Sequence, residues 1–176
     1  LFSLSVIGQV GHGAAPSASG LTMGPGALAF FGVSLTIRRL QARFGARLLV
    51  GGALLFALGL AGFAAMAALT GDALTGPEAA APLVIAGLGW AAVLVPLMGV
   101  VLGGLPAERA GLAGGVLSTA VQIGLAVGAS VLGTVVFSVA GAQPDASSWR
   151  AVVLVMVGIE CVLALATAAC ARRLAR

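Results

Sequence analysis

Apolar residues come in long, nearly unbroken blocks in this chain, and polar ones gather in the short gaps between them. Five blocks stand out: Leu21–Ile37, Leu48–Leu69, Pro82–Leu105, Ala110–Ala140 and Trp149–Ala171. A bilayer core of ~30 Å takes about 20 helical residues. Backbone groups in lipid must be paired within the segment, which favours helices at these lengths. The pattern therefore predicts an all-α polytopic transmembrane bundle with five full helices. Leu1–Val10 is too short to span and is expected to be the end of a truncated first helix. Residues 1–176 are then expected to form a single transmembrane domain, a fragment of a larger protein. The connecting stretches GHGAAPSASG, TGDALTGPEAAAP and GAQPDASS are rich in the residues that turns use.

Composition agrees with the pattern. The chain is 60% hydrophobic and 8% charged, against about 25% charged in soluble domains. Its basic residues are all arginines in short clusters between apolar blocks, with no basic stripe interleaved with aromatics, so a nucleic-acid partner is excluded. Arg38, Arg39, Arg43 and Arg47 crowd one connection, Arg109 lies in another, and Arg172, Arg173 and Arg176 end the chain. If helices alternate in direction, these eight share one side and Arg150 stands on the other. The positive-inside rule then predicts a multi-pass protein of the cell membrane with a cytoplasmic C-terminus. Cys161 and Cys170, nine residues apart, point to opposite sides of one helix and cannot pair. No metal-ligand set and no cofactor fingerprint is present: Gly87-Leu88-Gly89-Trp90-Ala91-Ala92 fits GxGxxA on paper, but it lies inside a membrane block.

Several residues are candidates for more than spanning. The block after LPAERAGLAGG repeats small residues every four positions, including Gly111/Gly115 and Gly124/Gly128. Such spacing lets helix backbones approach closely, so these glycines are expected to pack helices, and against more than one neighbour. Glu108 and Arg109 open this block, either as a plain solvated turn or in gating contacts. Glu160 falls about ten residues into the last block, ~15 Å deep. An ionised carboxylate there costs about 2.5–3.5 kcal/mol, so it must be neutral or paired. It is either a proton-binding group or a neutral acid serving helix packing, and a contact with Gln122 is expected if those two helix faces meet. Pro25 and Pro96 interrupt helices, as substrate-lining or moving segments do, though passive kinks are equally tolerated. Trp90 either lines a cavity or anchors packing. Trp149 beside Arg150 reads as an interface anchor, and His12 as a solvated loop residue.

The segment LPAERAGLAGGVLSTAVQIGLAVGASVLGTVVF resembles the penultimate-helix region of bacterial major facilitator superfamily transporters. It is most similar to the 14-helix drug:proton antiporters, where P-x-E-R-A-G-x-A-S-G leads into a Gly-rich helix. Upstream, Arg43, Gly45, Arg47, Leu48 and Leu49 are similar to that family's R-x-G-x-R-x-L-L loop. The resemblance covers the whole chain and implies the last five helices of such a transporter, a major-facilitator-like C-terminal half. There are departures. The loop's acid position is Ala42, one arginine position is Ala46, and the family's N-T-x-R-Q reads Ser118-Thr119-Ala120-Val121-Gln122. The resemblance implies proton-coupled efflux of small amphipathic compounds. On that basis Trp90, Pro96, Ser118, Gln122 and Pro25 are candidates for a substrate cavity or gate.

Function then divides in two. The leading expectation is a secondary transporter whose partners are the bilayer, a small-molecule substrate and a missing N-terminal bundle in cis or trans. The alternative is a non-transporting membrane scaffold, or a truncated half-unit that needs a partner bundle. A membrane enzyme would need a convergent nucleophile, base or metal set, and the sequence does not supply one.

Overall fold

A computed structural model describes residues 15–45, 47–70, 77–103, 106–140 and 146–174. Among the described residues five helices follow one another: α1 (Pro16–Phe44), α2 (Arg47–Thr70), α3 (Ala80–Gly103), α4 (Ala107–Ala140) and α5 (Ala146–Leu174). A 3-10 turn, Pro77–Ala79, leads into α3. Each helix holds a stretch long and apolar enough to cross a membrane, as the five blocks predict. Leu1–Val10 and His12 lie outside the described residues.

The helices overrun the apolar blocks, and this corrects where the charges sit. Arg38, Arg39 and Arg43 belong to the last two turns of α1, not to a connection. Arginine is a good helix former, and its long stem lets the charge reach water from inside a helix end. Ser17, Ser19 and Gly20 likewise fall inside α1, which starts at Pro16, because proline suits a first helical position. Glu108 and Arg109 form part of α4's first turn. Trp149 and Arg150 lie in the first turns of α5.

α3 sits in the middle. It lies along α2 on one side and α1 on the other, while α1 and α2 scarcely touch. α2 also packs on α5, and α4 leans on α5. Lipid offers no hydrophobic drive for these contacts, so close van der Waals approach has to supply it. Two glycines do this. A Cβ on Gly87 would run into the carbonyl oxygen of Gly26 in α1. One on Gly89 would run into the Phe56 amide nitrogen in α2 and stand 2.6 Å from the Gly52 carbonyl oxygen. Two residues turn a helix by about 200°, so Gly87 and Gly89 face opposite neighbours. The GxG run is therefore a two-sided packing device. Further along the same seam, a Cβ on Gly59 would lie 2.7 Å from the Pro82 carbonyl oxygen.

The contacts also fix directions. Gly26 faces Leu83 and Gly87, Phe30 meets Trp90, and Gln41 lies beside Gly99, so α1 and α3 run parallel. Gly52 faces Gly89 and Ala92 whereas Gly59 faces Pro82 and Ala86, so α2 and α3 run antiparallel. The buried core gathers at one end of the bundle. There Leu60, Phe63 and Ala64 of α2 join Ala79, Leu83, Val136 of α4, and Val152, Val153, Met156 and Val157 of α5.

Candidate functional site

α4 carries Ser118, Gln122 and the four evenly spaced glycines among the sequence candidates. Its contact with α5 runs through Leu132, Val135, Val136 and Val139, near its C-terminal end. The rest of the helix is left largely uncovered by this chain. Around its circumference, at ~100° per residue, three faces follow from the sequence. Leu117, Val121, Leu132, Val135 and Val139 are half-buried on the α5 side. Leu112, Val116, Ile123, Val127 and Val131 are exposed and apolar, suited to lipid. Between them lies an exposed face of Gly111, Gly115, Ser118, Thr119, Gln122, Ala126 and Ser130. Between Gly111 and Ser130 it carries nothing larger than glutamine, and Phe137 stands exposed on the same side further along the helix.

Three hydroxyls on or beside this face are turned inward on their own helix. Thr119 donates to the Gly115 carbonyl and Ser130 to the Ala126 carbonyl, each at 2.9 Å. Thr134 donates to the Ser130 carbonyl at 2.9 Å. Bonds of this kind to the preceding turn satisfy a hydroxyl locally. Gln122 is different. Its amide has two donors and an acceptor, and among the described residues it makes no hydrogen bond.

Among the described residues the packing expected of Gly111, Gly115, Gly124 and Gly128 is not made, since a Cβ at any of them would meet nothing within 4 Å. The close approaches fall instead to Gly26, Gly52, Gly59, Gly87 and Gly89. Their signal was available in the GxG of α3 and in the spacing of Gly52 and Gly59. The expected Glu160–Gln122 contact is also absent among the described residues. Glu160 lies on the same side of α5 as the buried Val153, Met156, Val157 and Ala164 and is itself half-buried, whereas Gln122 is exposed on a face turned from α5. They also miss in depth: Gln122 lies about 27 Å before the end of α4 and Glu160 about 21 Å after the start of α5. Beside Glu160, the Cys161 thiol donates to the Ala57 carbonyl of α2 at 3.6 Å. Cys161 and Cys170 are unpaired with each other, as their spacing requires.

Two other candidates, Trp90 and Pro25, lie along the α1–α3 seam, while Pro96 falls on the side of α3 that carries Gly89. Trp90 meets the Phe30 ring edge-on, with centroids 5.5 Å apart. Pro96 is fully buried in α3, and Pro25 is half-buried beside the Gly26 contact. At the α1–α2 turn Gly45 has φ 53° and ψ −137°, a conformation essentially reserved for glycine. Its N–H donates to the Gln41 carbonyl at 2.8 Å, and its carbonyl accepts from Leu48 at 3.1 Å. Arg43 lies over the Phe44 ring at 5.5 Å, and Arg47 opens α2 exposed to solvent. At the next turn the Arg109 N–H donates to the Pro106 carbonyl at 2.9 Å.

No protein-family model matches the chain, and no solved structure matches it. Among curated proteins it is similar to one from Streptomyces coelicolor named "Probable actinorhodin transporter". The two are 36% identical over 143 residues, which is 79% of this chain and 24% of that protein. The chain thus spans about a quarter of the relative it matches. It is a multi-helix chain fit to span a membrane and similar over most of its length to a transporter.

Proposed function

We propose that this chain is the C-terminal helical bundle of a proton-coupled exporter of the major facilitator type, carrying small amphipathic compounds. The observation that carries the proposal is the small, polar face of α4. A face of Gly111, Gly115, Ser118, Thr119, Gln122, Ala126 and Ser130 gains little from lipid. It suits either a second bundle brought backbone-close through the glycines or a water-filled path between two bundles. An alternating-access transporter needs both. Gln122 offers its free amide to substrate on that path, and Ser118 stands one turn before it. The S. coelicolor relative, named a probable actinorhodin transporter, supports a transport role. In this arrangement the arginine-bearing helix ends face the cytoplasm, and the N-terminal bundle is supplied in cis or in trans.

If this bundle takes part in proton coupling, Glu160 is the group through which it acts. It is the one acidic side chain near mid-membrane among the described residues.

The test uses the full-length protein in inverted membrane vesicles holding an acid-inside pH gradient, reported by an acridine dye. Addition of a transported amphipathic compound is expected to dissipate the gradient. Gln122→Ala is expected to weaken that response at low substrate concentration while insertion stays normal. Glu160→Gln is expected to flatten its pH dependence. No response across a panel of cationic, neutral and anionic amphiphiles would remove the exporter assignment. An unaltered pH profile in the Glu160 variant would move coupling outside this bundle.

A further inference from the structure

The face of α1 turned away from α3 has an order of its own. Towards α3 lie Gly26, Phe30, Ile37 and Gln41. On the opposite face, seven, four, three, four and four residues apart, come Leu21, Leu28, Gly32, Leu35, Arg39 and Arg43. The three leucines are 78%, 73% and 71% exposed, and a Cβ on Gly32 would meet nothing within 4 Å. The stripe is thus an open apolar track with a notch at Gly32, and it ends in two exposed arginines. Leu28 lies about 16 Å along the axis from Arg39, close to one leaflet's share of a ~30 Å bilayer core. Arg38 and Arg47, both exposed, flank the arginine end, and Phe44 adds an exposed ring beneath Arg43.

The charge at this end is unbalanced. Arg38–Arg47 contains four arginines and no Asp or Glu. Among the described residues these arginines form no ion pair. Guanidinium groups bind phosphate through two parallel N–H bonds, a geometry they match closely. Basic clusters at this level of a membrane attract anionic lipid.

We propose that this face of α1 binds an anionic phospholipid. One acyl chain lies along Leu28, Gly32 and Leu35, and the phosphate is held between Arg39 and Arg43. The bound lipid supplies the counter-charge that the turn lacks, and it fills the notch that α1 leaves open. This proposal does not rest on the transport assignment, because it concerns the face of α1 opposite α3.

The test is native mass spectrometry of the full-length protein in detergent, offered equal amounts of dioleoylphosphatidylglycerol and dioleoylphosphatidylcholine. The phosphatidylglycerol adduct is expected to dominate and to be lost in high salt. Arg39→Gln with Arg43→Gln should weaken phosphatidylglycerol binding roughly twenty- to thirtyfold, and Arg109→Gln should leave it unchanged. Equal binding of the two lipids by the unmodified protein overturns the proposal without any variant. Undiminished phosphatidylglycerol binding by the double variant overturns it too, and is the result to expect if these arginines meet an acidic stretch of another polypeptide.

Discussion

At Gly89 one added methyl group would strike the backbone of α2 at Phe56 and Gly52, whereas at Gly124 it would meet open space. Gly89→Ala is therefore expected to destabilise the chain by about 1–3 kcal/mol, as overpacking does. Gly124→Ala should hold or raise stability by up to about 1 kcal/mol through helix propensity. Thermal unfolding in detergent compares them, and equal melting temperatures would contradict the backbone contact at Gly89. Gly45→Ala, forced into a conformation that side chains avoid, should cost about 1–3 kcal/mol by the same measurement. All three glycines are visible in the sequence, yet their different demands are not. Spacing marks a glycine as able to bring two backbones together, but only the neighbouring helix decides whether it does. Thus the evenly spaced glycines of α4 drew attention, while the two that hold α3 resembled a nucleotide fingerprint.

The helices themselves were legible because a membrane span needs only length and apolarity, and the five blocks carry both. Their ends were less so. Charge in the sequence does not mark a helix end: Arg38, Arg39 and Arg43 sit in the last turns of α1, where a long side chain reaches water. Contacts between helices were the least legible, because in lipid the hydrophobic pattern does not say which faces meet. The expected meeting of Glu160 with Gln122 failed on that ground: similar depth was inferred, and neither the register nor the face agreed. α4 offers the decisive test at this scale. Gly115→Leu should not lower the melting temperature of this chain alone, since the site faces open space here and leucine is the better helix former. In the full-length protein it should remove most of the transport, because a leucine would prop apart the second bundle or block the path. Unaltered transport would mean that this face looks onto lipid.

For the molecule as a whole, the parallel run of α1 with α3 and the antiparallel run of α2 with α3 bring the ends at Arg43, Arg47 and Gly103 to one side. Arg109, which opens α4, belongs to that side as well. A fluorescent protein fused after Arg176 should therefore fluoresce in intact cells, and alkaline phosphatase inserted between Ala140 and Ala146 should be active. The opposite pair of results would invert the proposed orientation. The central position of α3 also bears on how the chain is made. Of these five helices α1 leaves the ribosome before the others, but its seat on Gly87 and Trp90 is built roughly 60 residues later. At about 5–20 residues per second, α1 waits in the membrane for several seconds before its main partner in this bundle exists, because α2, which follows it, scarcely touches it. Assembly of this bundle is therefore out of chain order. A nascent chain stalled before α3 would leave the α3-facing side of α1 uncovered in the bilayer, open to quality-control proteases.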